Sequence, residues 1–205
     1  MASKYHILGA QTQILYKEKG SKFIAYGFHV DNEHNIKQQL LAVKKEHPTA
    51  THHCYAWTIG IGKIVTLAND DGEPANTAGK PILAQIQGHA LVNCLIVVVR
   101  YFGGTLLGVN GLINAYKSAA FQLIEASQVK AFYPMLNLRI TCEVQDLSVL
   151  MRTLKQLDAK IHHQDFDERY LILCAIRCEL EDTLIVMVKE LYQLTIEKLK
   201  DESKN

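Results

Sequence analysis

Three stretches of this chain gather residue types that could hold an anion, a cation or a nucleophile. At 97–113, VVVRYFGGTLLGVNGLI, an apolar run ends in Arg100, Tyr101 and Phe102, and Gly103, Gly104, Gly108 and Gly111 follow before a helix-like pattern begins. A strand entering a glycine-rich turn that opens a helix points main-chain N–H groups and the positive end of a helix dipole at one place, which suits an anion. Glycine permits positive φ and close approach of a ligand. The spacing matches neither a P-loop, which ends in Lys-Ser/Thr, nor G-x-G-x-x-G. The same glycines would equally serve a tight connection and close helix packing, and both readings stand. On the anion reading, Arg100 offers a planar guanidinium to phosphate and Tyr101 or Phe102 a face for stacking.

The second stretch is NDDGEPANTAGKPILAQ, where Asp70, Asp71 and Glu73 crowd three carboxylates into a short loop. Their repulsion must be answered by solvent, a cation or basic groups. Mg²⁺ would be held through one or two carboxylates and water, but a solvated turn is the commoner outcome, and no metal is assigned. Thr77, Gly79, Lys80 and Pro81 read as a second helix start, with Lys80 as a point charge. Exposed main-chain donors at the two helix starts, beside Lys80 and Gly103, are thus expected to form a docking surface for negative charge.

The third stretch is EHPTATHHCYAW. On an extended strand His52 and Cys54 share one face and His53 points to the other. Zinc needs three or four ligands, and no other cysteine has C-x-x-C spacing, so a buried Cys54 beside a partly buried, hydrogen-bonded histidine is expected. No recognisable set of nucleophile, base and orienting group is present, so no catalytic residue and no cofactor is assigned. Lys17, Lys19 and Lys22 surround Phe23 and suit either phosphate or a solvated strand edge. His162 and His163 suit an exposed edge strand, and Cys174 and Cys178 read as core.

These residues need elements to position them. FIAYGFHV suits a strand, and Asp31 can cap a helix over 32–46 in which Ile36, Leu40 and Val43 recur at helical spacing. Residues 54–59 and 64–68 read as strands joined by GIGK, and a short helix follows with Pro81 in its first turn and Gly88 at its stop. NCLIVVVRYF is apolar without alternation, as for a strand covered on both faces. From Gly111 to Ser127 the apolar positions Leu112, Ala115, Tyr116, Ala119, Ala120 and Leu123 mark a helix. Pro134 punctuates a restart, which places a domain boundary near 134. Beyond it, LNLRITCEV, VQDLSVLMRTLKQLD, KIHHQ, RYLILCAIRC, EDTLIVMVKELYQ and LTIEKL read as β-α-β-β-α-β, the ferredoxin-like split unit.

The 205 residues are 48% hydrophobic and 21% charged, ordinary for a globular protein. No apolar run is long enough to span a bilayer, and the N-terminus lacks the basic and apolar regions of a secretory signal, so a cytoplasmic location is expected. Five cysteines scattered through apolar segments fit reduced, buried thiols. Residues 1–134 carry 12 Lys+Arg against 8 Asp+Glu, and residues 135–205 carry 10 against 13. A mildly basic first part permits an anionic partner without a strong electrostatic footprint.

In order and spacing, HPTATHHCYAW, DDGEPANTAGKPILAQI and VVVRYFGGTLLGVNGLINAY resemble the YigZ/IMPACT family. The resemblance covers nearly the whole chain, with a signature block over about 17–127. One departure is Asn76, where the family usually has glycine before Thr-Ala-Gly; asparagine tolerates left-handed backbone, so the loop shape should survive. The resemblance implies an α+β chain. Its residues 1–134 would form a β-α-β domain like the second domain of small-subunit ribosomal protein 5. Residues 135–205 would form a ferredoxin-like domain similar to domain V of elongation factor G. Relatives of both folds bind RNA or the ribosome, and eukaryotic members of the family are linked to translational control. The expectation is a cytoplasmic RNA- or ribosome-associated binding protein that regulates translation without catalysis, with a possible protein partner on the acidic second domain. The alternative is a hydrolase acting on a phosphorylated or peptide-like small substrate through the acidic loop and the pair His52 and His53.

Overall fold

The apolar run 94–101 becomes the central strand of a five-stranded sheet. The computed structural model describes residues 5–199, which divide into two compact units, 5–132 and 133–199. The first unit holds strands β1 (Tyr5–Leu8), β2 (Thr12–Glu18), β3 (Ser21–His29), β4 (His52–Ile59), β5 (Val65–Asn69), β6 (Cys94–Tyr101) and β7 (Val129–Phe132). Its helices are α1 (Glu33–Glu46), α2 (Gly79–Gly88) and α3 (Gly108–Ala126). The sheet runs β2-β3-β6-β4-β5 with every neighbouring pair antiparallel, while β1 and β7 form a separate antiparallel pair.

All of β6 except Tyr101 is buried, because helices cover both faces of the sheet. On one face Cys94, Ile96 and Val98 pack with Ile82 and Ile86 of α2 and Tyr116, Ala119 and Leu123 of α3. On the other, Leu95, Val97 and Val99 pack with Ile36 and Val43 of α1. The strand alternation therefore sends Arg100 towards α2 and α3, and Tyr101 towards the α1 side.

Several local details differ from the sequence expectations. FIAYGFHV falls in β3 as expected, but β2 precedes it in a hairpin that the sequence reading does not assign, turned by Lys19 and Gly20 at φ 45° and 82°, the left-handed pair that suits a two-residue connection. Helix α1 is capped by Asn32, whose Oδ1 accepts from the Asn35 N–H at 2.9 Å, and not by Asp31. Asn32 is the residue with extended backbone directly before the first helical turn. Helix α3 begins at Gly108, almost one turn earlier than its apolar pattern suggests.

The second unit contains β8 (Met135–Cys142), α4 (Leu147–Gln156), β9 (Lys160–Phe166), β10 (Tyr170–Arg177), α5 (Glu181–Val188) and β11 (Thr195–Lys198). Its antiparallel sheet has the order β11-β8-β10-β9, and the chain follows the β-α-β-β-α-β course. Leu138, Ile140, Ile172, Cys174 and Ile176 line the core against Leu150, Leu154, Leu184 and Val188. His162 and His163 lie on the exposed edge strand β9. Cys178 is exposed, contrary to its assignment to the core, because it falls past the end of β10 in a short 3₁₀ turn.

Gly103 and Gly20 meet where no side chain fits: a Cβ on Gly103 would collide with the backbone of Gly20 and Ser21. Gly88, on the exposed end of α2, has open space around it. Gly103→Ala should therefore destabilise by about 1–3 kcal/mol or more in urea unfolding, whereas Gly88→Ala should stabilise by roughly 0.5–1 kcal/mol. Burial also pushes the Cys174 thiol up to about 11, and those of Cys54 and Cys94 higher still. Alkylation of the native protein at about pH 8 should label Cys178 rapidly and leave the four buried cysteines unmodified until unfolding, as read by mass spectrometry.

Candidate functional site

Arg100, the acidic loop and the histidine pair converge at one end of the first unit's sheet. Arg100 is 6% exposed, and its Nη1 donates to Glu73 Oε1 at 2.6 Å. The same oxygen accepts from the Tyr116 hydroxyl at 2.8 Å. The guanidinium carbon lies 5.6 Å from the Phe23 ring centre and 5.7 Å from that of Phe102. Burial, reinforced by the Cys54 thiol and the Glu73 carboxylate, pushes the Tyr116 phenol well up, so it stays a donor. Arg100 thus neutralises an internal carboxylate and does not present its guanidinium to a phosphate as the sequence suggested. It had to be answered, because an unpaired buried charge costs several kcal/mol.

Each of the three loop carboxylates has its own internal role. Asp70 Oδ1 accepts from the N–H groups of Ala78 at 3.0 Å and Gly79 at 2.8 Å, and its Oδ2 from that of Asn76 at 2.8 Å. A carboxylate already occupies the N-terminus of α2, where free donors were expected. Thr77 does not cap this helix; it is buried, and its hydroxyl donates to the Pro74 carbonyl at 2.7 Å. Asn76 adopts φ 66°, the left-handed conformation that asparagine accepts in place of glycine. Asp71 accepts from the His53 N–H at 2.7 Å and lies 3.8 Å from Lys44 Nζ. With Glu73 bound to Arg100, the mutual repulsion is answered by protein donors. Among the described residues no group of three or more His, Cys, Asp or Glu is placed to hold a metal ion.

The histidines follow the strand alternation. His52 donates from Nδ1 to the Asp71 carbonyl at 2.8 Å, leaving Nε2 3.9 Å from Glu73 Oε1. His53 turns to the other face and donates from Nε2 to the His47 carbonyl at 3.1 Å; burial lowers its affinity for a proton. Cys54 is fully buried, and its single S–H points to the Asp70 carbonyl at 3.0 Å or the Tyr116 oxygen at 3.3 Å. Neither partner is a base able to generate a thiolate, and burial raises the thiol further.

What remains at the surface is narrower than the sequence implied. Phe102 is 47% exposed, and Gly103, Gly104, Gly108 and Lys80 are exposed beside it in sequence or at the start of α2. Gly104 and Gly108 adopt φ 85° and 70°. Helix α3 has no side-chain cap and no acidic residue in its first turn, whereas the start of α2 is closed by Asp70 from the preceding loop. Tyr101 is half-buried, with its hydroxyl 2.9 Å from His47 Nδ1. Sequence reasoning missed Tyr116 as the second donor to Glu73, because its place on the apolar face of α3 marked it as core. It also missed His47, which lies in the stretch EHPTATHHCYAW but is given no role by the strand alternation that singles out His52, His53 and Cys54.

Removing one member of the buried pair should be far worse than removing both. Glu73→Ala is expected to cost about 3–5 kcal/mol in chemical denaturation, and the double variant Glu73→Leu with Arg100→Met distinctly less.

A family model described as the Impact N-terminal domain matches residues 19–124. IMPACT family member YigZ of Escherichia coli (strain K12) is 36% identical over 172 residues, which span 83% of this chain and 84% of that protein. Protein IMPACT homolog of Dictyostelium discoideum is 40% identical over 96 residues, 44% of this chain and 27% of that protein. A crystal structure of a protein described only as hypothetical superposes with a TM-score of 0.65 at 31% identity, over 98% of this chain and 100% of the other. With one relative similar along most of its length and the domain model matched across its first unit, the chain belongs to the IMPACT family.

Proposed function

We propose that this protein is a cytoplasmic, non-catalytic binder of RNA or of a ribosome-associated assembly, and that it tunes translation. One observation carries this reading. Once the internal network of Arg100, Glu73 and Asp70 is set aside, the exposed end of the sheet retains an aromatic ring, Phe102, and a glycine turn that opens an uncapped helix. Such a surface offers main-chain donors and a helix dipole to negative charge, with a π-face beside them. The exposed Lys80 adds a cation from the start of α2. Membership in the IMPACT family supports the translational side, since its eukaryotic members are linked to translational control. Kinship of the two units with the second domain of small-subunit ribosomal protein 5 and with domain V of elongation factor G belongs to the same proposal.

Against the hydrolase alternative stands the structural use of most of the residues it would need. The acidic loop caps α2, pairs with Arg100 and anchors β4, and His53 is held with a lowered proton affinity.

Ribosome pelleting from lysate, with and without ribonuclease, tests the reading. The protein should pellet at low salt and be shed as salt rises, with a shallow dependence because few cations are available. Asn110→Asp places a carboxylate in the first turn of α3 and should release the protein at lower salt. Failure to pellet at any salt, or pelleting indifferent to both salt and this substitution, would reject the proposal.

A further inference from the structure

On the opposite face of the sheet from Tyr116 and α3, at the C-terminal end of α1, lies a cleft of about 310 Å³ lined by Gly20, Lys22, Ile24, His47, Tyr101 and Phe102. Its tyrosine is held by an ordered chain of hydrogen bonds. The Tyr26 hydroxyl donates to Glu46 Oε1 at 2.7 Å, so its oxygen accepts from His47 Nε2 at 2.5 Å. On the other side of the ring, His47 Nδ1 stands at hydrogen-bond distance, 2.9 Å, from the Tyr101 hydroxyl. The Tyr101 ring is therefore fixed in place before any ligand arrives. Phe102, 47% exposed, supplies a second aromatic surface at the rim.

The charge in the cleft is of one sign. Lys22 pairs in register with Tyr101 on β6 and with Lys17 on β2, so the three side chains stand in one row on one face. Both lysines are exposed, and among the described residues no carboxylate lies within ion-pair distance of either. Like charges directly opposite on neighbouring strands oppose folding, and an anion between them would relieve that repulsion. Aromatic faces beside unanswered cations suit a nucleotide, whose base stacks while its phosphate meets the lysines. The volume stands at the small end of ligand sites, about 300–1,000 Å³, which matches a single residue of a strand.

Building on the RNA-binding reading above, we propose that this cleft seats one unpaired nucleotide of an RNA strand. Its base lies against Phe102 and Tyr101, and its phosphate between Lys17 and Lys22.

Fluorescence anisotropy on the full chain, with a labelled oligouridylate of about eight nucleotides, tests this in parallel with ribosome pelleting. Phe102→Leu keeps an apolar side chain but removes the π-face, and should weaken binding about tenfold or more. Phe102→Trp should retain binding, with its indole emission quenched by the base. Lys17→Ala with Lys22→Ala should flatten the plot of log affinity against log salt by about 1.4. Thermal melts of these surface variants, unchanged from the parent, keep folding out of the comparison. Binding that ignores both Phe102→Leu and the double lysine substitution would overturn the cleft assignment. So would absence of oligonucleotide binding while ribosome pelleting persists, an outcome that leaves the broader reading intact; loss of both removes it. Tight duplex binding, or displacement by uridine monophosphate at concentrations comparable to the oligonucleotide, would overturn the assignment to an unpaired strand.

Discussion

The buried pair between Arg100 and Glu73 is the constraint around which the first unit's functional end is built. A guanidinium at the end of a wholly apolar strand has no water to solvate it, and the acidic loop must fold back over β4 to reach it. Doing so brings Asp70 to the start of α2 and Asp71 to the His53 amide, so one electrostatic demand fixes the course of the whole segment 69–79. Tyr116 completes the arrangement from α3, tying the third element of that face to the same carboxylate oxygen. A buried ion pair contributes little net stability over an apolar substitute of similar shape, but leaving it half-made is costly. Its consequence here is geometrical: it holds loop and strands in a single arrangement.

That arrangement divides the residues singled out by the sequence into two populations. Asp70, Asp71, Glu73, Thr77, His53 and Arg100 are committed to partners within the protein. Phe102, Gly104, Gly108, Lys80, Lys22 and Lys17 face outward, and no acidic residue joins α3 at its first turn. The alternation of β6 supplies the division at its last two positions, with Arg100 committed to the interior and Tyr101 turned to the opposite face. The motif thus builds a scaffold with one half and displays a surface with the other.

Much of the architecture was legible because it rests on periodicity. The apolar run of β6 and the spacing of Leu112, Ala115, Tyr116 and Ala119 announced a central strand and a long helix, and the second unit's six elements appear in the order read from the sequence. Asn76 keeps the left-handed turn that its side chain allows. The hairpin at Lys19 and Gly20 was not legible, since its turn lies between strands whose outward residues are irregular in polarity. The site was only half legible for a different reason. A sequence displays the charges of Arg100 and Glu73 but not their mutual distance, so two halves of one internal contact read as two separate invitations to a ligand. The cleft's tyrosine support was hidden entirely, because Tyr26, Glu46, His47 and Tyr101 come from three distant segments.

The touching backbones of Gly20 and Gly103 also bear on how this surface could be transplanted. Because the hairpin tip lies against the glycine turn with no room for a side chain between them, neither loop has its shape independently of the other. A protein engineer who grafted residues 100–111 onto another scaffold would have to carry the tip of the neighbouring hairpin with them, or supply an equally bare stretch of main chain to lean on.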